Sequence, residues 1–364
     1  MLSASSDRSP QYATASQQRA CATREPHSLL SLTLHGLHRL SSSRISAIRS
    51  PSQQKHMRQT CARPILVTGS HRSGTTWVGH IIRSVGRIGY IHEPFNKDYH
   101  ISWAARPMTH WYFHVASDDE SLRVSDIHDI VTFRYPLRQN LLRARSARDV
   151  ARALKHGALA LRYRCARCRP LLKDPLALFS CEWLAKTFNM HVVMMIRHPA
   201  AFCSSLKIKR WAFPFADLDR QPQLMTGILS PYAEKVARAA DGGLDTIDQG
   251  ILLWNCVHHV IKAYQQRHED WCFVCHERLS RDPIAGFGAI FERLGLAFTG
   301  RVRRAVEASS GKHNPVEQVA GREFIRNSSA SVTNWKSRLE LEEIQRIRIE
   351  TADVAASFYT DADW

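Results

Sequence analysis

The string Thr68-Gly-Ser-His-Arg-Ser-Gly-Thr-Thr-Trp77 lies between a short apolar run, Pro64 to Gly69, and a helical pattern that starts at Thr75. Strand, glycine-bounded turn and helix in that order expose successive backbone N–H groups. The helix amino end adds a partial positive charge, so the string is suited to holding a phosphate. Triphosphatases of the G-x-x-x-x-G-K-[ST] type need a lysine after the second glycine to reach the outer phosphates. Here that place is Thr75, and the cation has moved inside the loop to Arg72. A cation there would stand over the 5' end of a nucleotide, where charge builds on a leaving phosphate oxygen. No second apolar run ends in an aspartate placed to hold Mg²⁺, which disfavours metal-dependent nucleotide hydrolysis.

Such a loop needs a sheet to hold it. Further short apolar runs occur at Ile88 to Ile91, Leu171 to Leu172, His191 to Ile196 and Trp271 to Cys275. Helical patterns alternate with them, at Leu178 to Phe188, Ala200 to Lys207, Thr246 to Arg267 and Ile284 to Leu294. This alternation predicts an α/β fold, a parallel sheet flanked by helices with ligands at the carboxyl ends of the strands. Residues about 97–169 break the alternation. The stretch from Arg134 to Lys173 is rich in Arg and Lys and holds one acid, Asp149. It reads as a helical basic insertion, either a solvated helix face or a landing surface for an anionic acceptor or a membrane. From Trp211 to Gly243 the aromatic, proline and glycine content suggests a flap near the site.

The phosphate loop resembles the 5'-phosphosulfate-binding loop of sulfotransferases that use 3'-phosphoadenosine 5'-phosphosulfate (PAPS), approximately P-[RK]-S-G-T-T-W, with His71 in place of the proline. A second stretch, Met195-Ile-Arg-His-Pro-Ala-Ala-Phe-Cys-Ser-Ser205, resembles the family's 3'-phosphate segment, an Arg followed eight residues later by a Ser. Arg197 and Ser205 fill those places, and a guanidinium fork with a hydroxyl suits a phosphate dianion. His92-Glu-Pro-Phe95 resembles the E-P motif of carbohydrate sulfotransferases, and Leu172-Lys-Asp-Pro175 the basic strand end near the sulfate. His276-Glu-Arg-Leu is similar to a structural Y-E-D-L segment, while Arg326-Asn-Ser and Asn334-Trp-Lys336 resemble the late loop over the nucleotide. The resemblance spans about Pro64 to Trp364 and is nearest in motif to carbohydrate and bacterial sulfotransferases.

It implies a P-loop-like sulfotransferase core that moves a sulfuryl group from PAPS to a hydroxyl of a carbohydrate-like acceptor, without a metal. Gly74, Thr75 and Thr76 would hold the 5'-phosphate, with Ser73 positioning the loop and Trp77 counted among the nucleotide-binding residues. Arg197 and Ser205 would hold the 3'-phosphate, and Arg326 would bind the nucleotide from the late loop. Arg72 would stabilise the departing oxygen, Lys173 the sulfuryl oxygens, and Glu93 would act as general base, with His92, His71 and Asp174 as alternatives. Trp103, Trp111 and Trp211 could stack on a sugar, although most large aromatics are core. Two other readings stay open: a P-loop kinase or NTPase with a degenerate Walker motif, and a non-catalytic polyanion-binding protein.

Composition bounds these readings. The chain has 364 residues, is 44% hydrophobic and carries a net charge of +17, which favours anionic partners without choosing among them. The expected partner is a glycan or glycolipid rather than nucleic acid. Nine scattered cysteines argue for free thiols in a reducing compartment, and the expected location is cytoplasmic. The pairs Cys165/Cys168 and Cys272/Cys275 could mimic a zinc site, but the second reads as a strand, where residues three apart face opposite ways. No stretch approaches the ~20 consecutive apolar residues that span a bilayer, leaving peripheral membrane contact as the alternative. Residues 1–60 hold two acids, Asp7 and Glu25, among many Arg and Ser, and read as a disordered basic tail before a domain of residues 61–364. An organelle transit peptide or a true start at Met57 fits the same composition.

Overall fold

The computed structural model describes residues 63–116, 118, 120–317 and 324–364, all inside the unit Gln54–Trp364. The expectations for residues 1–60, including the start at Met57, lie outside the described residues.

Five strands form one parallel sheet: β1 (Ile65–Gly69), β2 (Ile88–His92), β3 (Arg169–Lys173), β4 (His191–Ile196) and β5 (Cys272–Cys275), in the spatial order β2-β3-β1-β4-β5. Every pairing is parallel. The molecule is therefore α/β, with helices flanking the sheet. β1 is buried along its whole length and β4 everywhere but at His191, which is why both read as continuous apolar runs rather than alternating ones. Ile65 and Val67 point into one apolar cluster and Leu66 into the other.

Helix α1 (Thr75–Arg83) follows β1. Between β2 and β3 come α2 (Glu120–Val131), α3 (Leu137–Arg143) and α4 (Ala147–Cys165); then α5 (Cys181–Phe188) precedes β4 and α6 (Pro199–Lys209) follows it. Three short helices, α7 (Ala216–Asp219), α8 (Pro222–Thr226) and α9 (Ala233–Ala240), lead to α10 (Thr246–Arg267). After β5 stand α11 (His276–Arg281), α12 (Pro283–Arg293), α13 (Gly300–Ser310) and α14 (Leu341–Ala355). The side chain of Asp245 caps α10, accepting from Asp248 N at 2.8 Å, and the helix buries Trp254 completely. α1, α12 and α13 cover the opposite face through Val78, Phe287, Phe291 and Val306.

Two regions differ from expectation. The stretch after Trp211 is not a loose flap: Leu218, Leu229 and Val236 are wholly buried, and the short helices fold onto the core. The helices α13 and α14 escaped the pattern because charged residues interrupt each and few residues reach the core, Val302 and Val306 in one and Ile347, Val354 and Ala355 in the other. Cys272 and Cys275 do lie on a strand, and no cluster arranged to hold a metal occurs among the described residues.

The position that fixes the loop is Gly69, the last residue of β1. Its φ is +136°, and a Cβ there would lie 2.2 Å from the Met195 carbonyl oxygen of β4. Only glycine lets the central strands run this close. Gly69→Ala should lower the unfolding free energy by roughly 2 kcal/mol or more, read as a lower urea midpoint. An unchanged midpoint would mean that β1 and β4 part without penalty.

Candidate active site

The carboxyl ends of β1, β2, β3 and β4 open on one cleft of about 610 Å³. Arg72, Gly74, Thr75, Thr76, Trp77, Glu93, Lys173, Arg197, Ser205 and Arg326 all line it. Ser73 does not: it is buried beneath the loop, its Oγ donating to Ser70 O at 2.5 Å. Trp77 is 5% exposed and forms floor rather than wall, donating from Nε1 to Ser309 Oγ at 2.9 Å and packing edge-on against Phe287.

Gly74, at φ +88°, is the N-cap of α1 and offers no side-chain cap, so the first N–H groups of the helix face the cleft. A Cβ on Gly74 would sit 2.6 Å from His276 Nδ1. That ring nitrogen is buried without a hydrogen-bond partner. Burial, then Arg197 and Arg326, hold His276 well below the usual histidine range, so the ring is neutral. Arg72 adopts φ +65°, a left-handed conformation that bulky side chains rarely take.

The side chain of Arg72 turns toward the second predicted cradle. Its Nε donates to Ser205 Oγ at 2.9 Å, and Arg197 Nη1 donates to Arg72 O at 3.1 Å. The Gly-bounded turn and the Arg197/Ser205 pair thus face each other and are joined by direct bonds. Arg197 is oriented by Glu277, whose Oε1 lies 3.3 Å from Arg197 Nε and also accepts from His198 N at 3.2 Å. The other Glu277 oxygen accepts from Tyr359 Oη at 2.8 Å. Glu277 lies in the first turn of α11, just after β5, in the segment read from sequence as structural; it positions a cation of the site.

Arg326, Ser328 and Arg338 supply the wall from the C-terminal part of the chain. Burial, then Arg197, Arg72 and Arg338, push the Arg326 guanidinium down to about 10. Arg338 pairs with Glu317. Trp335 and Lys336 do not line the cleft: Trp335 stacks on His198 at 5.2 Å, and Lys336 donates to Trp364 O. Ser328 belongs to the Arg326-Asn-Ser string, whereas Ser309 and Arg338 carry no local motif, so only the folded chain brings those two to the wall.

Parallel register sets the remaining pair. His92 stands beside Lys173 across β2 and β3, and Glu93 N donates to Lys173 O at 2.9 Å. Lys173 is 2% exposed and its Nζ is ion-paired with Glu93 Oε1, while Asn96 Nδ2 donates to Glu93 Oε2 at 3.0 Å. Burial by itself would raise the Glu93 carboxyl, but Lys173, His92 and Asn96 hold it at about 2. Glu93 too has a left-handed backbone, φ +44°.

The alternative bases are less suited. His71 is pushed down to about 3 by burial and Arg72. The Tyr112 hydroxyl accepts from His71 N at 3.1 Å and lies 2.8 Å from His71 Nδ1. Burial, then Lys173, lowers His92 to about 4. Asp174 is fully buried, accepts from Phe95 N at 2.6 Å and Leu176 N at 2.9 Å, and is raised to about 8, chiefly by burial; it caps a turn and does not line the cleft. Of the three tryptophans, Trp103 and Trp111 are core at 4% and 6% exposure, and Trp211 lines the cleft together with Tyr99.

A family model described as "Sulfotransferase family" matches residues 64–300. Among curated proteins compared by sequence, none matches significantly. Solved structures similar to the chain include the sulfotransferase domain of the Synechococcus PCC 7002 olefin synthase, at 15% identity and a TM-score of 0.43, covering 84% of this chain and 97% of that one. Another is the sulfotransferase STF9 from Mycobacterium avium, at 15% identity and a TM-score of 0.40, covering 85% and 80%. The family match spans well over half of the sequence, takes in the loop, Glu93, Lys173, Arg197 and Ser205, and is the ground on which the chain is assigned to the sulfotransferase family.

Proposed function

We propose that the enzyme transfers a sulfuryl group from PAPS to a hydroxyl of a carbohydrate-like acceptor, glycan or glycolipid. The observation that carries the reading is the pair of anion cradles opening on one cleft and joined through the Arg72 to Ser205 bond at 2.9 Å. The residues fit a bisphosphorylated adenosine. Arg72, Arg197, Arg326 and Arg338 line the same cleft, and the pressure the other three put on Arg326 is what two bound phosphate groups would relieve. When bound, PAPS supplies the sulfuryl group and leaves as adenosine 3',5'-bisphosphate.

The chain's own groups divide the work by position. The N–H groups at Gly74, Thr75 and Thr76, with the two hydroxyls, hold the 5' end; Arg197 and Ser205 hold the 3' end, with Arg326 beside them. Arg72 bridges the cradles and stabilises negative charge between them. Lys173 faces the sulfuryl oxygens from the end of β3. Glu93 is a weak base while Lys173 grips it. Drawing Lys173 toward a new anion would leave Glu93 in a buried place without its main counter-charge, and its proton affinity would rise. Trp211 and Tyr99 at the other end of the cleft support an acceptor with an apolar face. The seven free thiols among the described residues suit a reducing compartment, and we place the enzyme in the cytoplasm.

Incubation with sulfur-labelled PAPS and a host extract should label a glycan or glycolipid; label that stays with the nucleotide, or ATP binding more tightly than adenosine 3',5'-bisphosphate, would favour the kinase reading. In calorimetry, Arg197→Ala should weaken adenosine 3',5'-bisphosphate by roughly tenfold to a hundredfold and leave adenosine 5'-phosphosulfate, which lacks the 3'-phosphate, nearly unchanged. Equal losses for both ligands would remove Arg197 from the 3' cradle. Glu93→Gln should lower kcat by about 10²-fold or more with little change in donor affinity. Because its carboxyl is held at about 2 while Lys173 grips it, kcat/KM, which follows the free enzyme, should show no Glu93-dependent acid limb, whereas drawing Lys173 toward the bound anion should bring one into kcat. Near-normal turnover in Glu93→Gln would rule the carboxylate out as base.

A further inference from the structure

The helices between β2 and β3 carry a surface that the cleft does not use. α4 is fastened to the sheet along one side, where Ala153, Ala160 and Tyr163 are buried. Tyr163 and Phe133 pack so closely on Gly89 of β2 that a Cβ there would meet the Phe133 ring at 2.3 Å. A different side of α4 bears Val150, Leu154 and Leu161, exposed at 39%, 50% and 61%, and the neighbouring end of α3 adds Leu142 at 77%. With Ala158 between them, the α4 residues follow the 4, 4, 3 spacing of a single helical stripe. Arg148, Lys155 and Arg162 are exposed beside that stripe, about a quarter to a third of a turn round the helix, and Arg152 is exposed farther round. The one acid of α4, Asp149, is buried on the side that also holds Ala153 and lies 3.1 Å from His100 Nε2.

We propose that this face of α3 and α4 docks on an anionic membrane surface, the leucines entering the headgroup boundary and the arginines meeting lipid phosphates. Charge complementarity selects the occupant. A soluble polyanion would use the cations but leave four large apolar side chains in water, against the hydrophobic effect. A second copy would cover the leucines while bringing two cationic flanks together. A bilayer with acidic headgroups satisfies both halves at once, as in helices that lie in the membrane interface. Helix α4 is also tied to the mouth of the cleft, since His100 lies against Asp149 in its first turn and the neighbouring Tyr99 lines the cleft. Docking stands independently of the proposed transfer; if both hold, a glycolipid headgroup is presented at the acceptor end.

The test is co-sedimentation of the full chain with vesicles of phosphatidylcholine plus phosphatidylglycerol, against phosphatidylcholine alone. The chain should pellet only with the anionic vesicles and be released by salt. Each cation removed should cost roughly fivefold in partitioning, so Lys155→Gln with Arg162→Gln should lose about 25-fold. Leu154→Gln with Leu161→Gln should lose roughly tenfold. Both pairs are exposed, so thermal midpoint and far-ultraviolet circular dichroism should match the parent. The proposal fails if the parent stays in the supernatant with anionic vesicles, or if binding survives the leucine replacements, as adhesion to heparin would. It fails equally if the leucine pair splits a dimer in sedimentation velocity while vesicle binding is unaltered.

Discussion

The closeness of β1 to β4 at Gly69 is the constraint on which the site rests. With no room for a Cβ against the Met195 carbonyl, the turn after β1 leaves the sheet between the ends of β3 and β4. Arg72 then falls within reach of Ser205 on α6, and Lys173 at the end of β3 is directed to the same cleft. In a parallel sheet all strand ends of one kind lie on one side, so residues far apart in sequence become neighbours without any local signal. Left-handed backbone at Arg72 and Glu93 is tolerated because the surrounding sheet and loop over-determine both positions.

Electrostatics divides the cleft into two regimes. Around the loop and Arg197 the guanidinium groups outnumber the acids near them, and Glu277 and Glu317 hold Arg197 and Arg338 in place without neutralising the whole. At the other end Lys173 and Glu93 neutralise each other as a buried pair. A surplus of positive charge recruits a polyanion; a balanced pair can exchange partners when a new anion arrives. The neighbouring histidines stay neutral, since burial and the adjoining cations both disfavour the imidazolium.

The flanking helices add a separate theme. Packing of Phe133 and Tyr163 on Gly89 ties α4 to the strand that ends near Glu93, so the outward face of the basic helices has a fixed relation to β2. A chain whose acidic partners are sparse over this stretch keeps a surface that repels its own kind and attracts acidic ones.

Much of this was legible in the residues themselves. The buried strands β1 and β4 announced themselves as continuous apolar runs, α10 matched its predicted limits because Asp245 and the apolar period mark them, and the Gly-bounded string identified an anion loop even with Thr75 where lysine was expected. Arg197 and Ser205 were singled out by a resemblance to a family segment, and the structure places both on the cleft. Local patterns could not show that Arg72 would bond Ser205, that Glu277 would orient Arg197, or that Asp174 would cap a turn instead of facing the cleft. Those outcomes depend on which strand lies beside which and on how deeply each polar group is buried. Sequence determined the kinds of group and the elements that carry them; strand order and burial, which are properties of the whole packed chain, decided their partners and their charge.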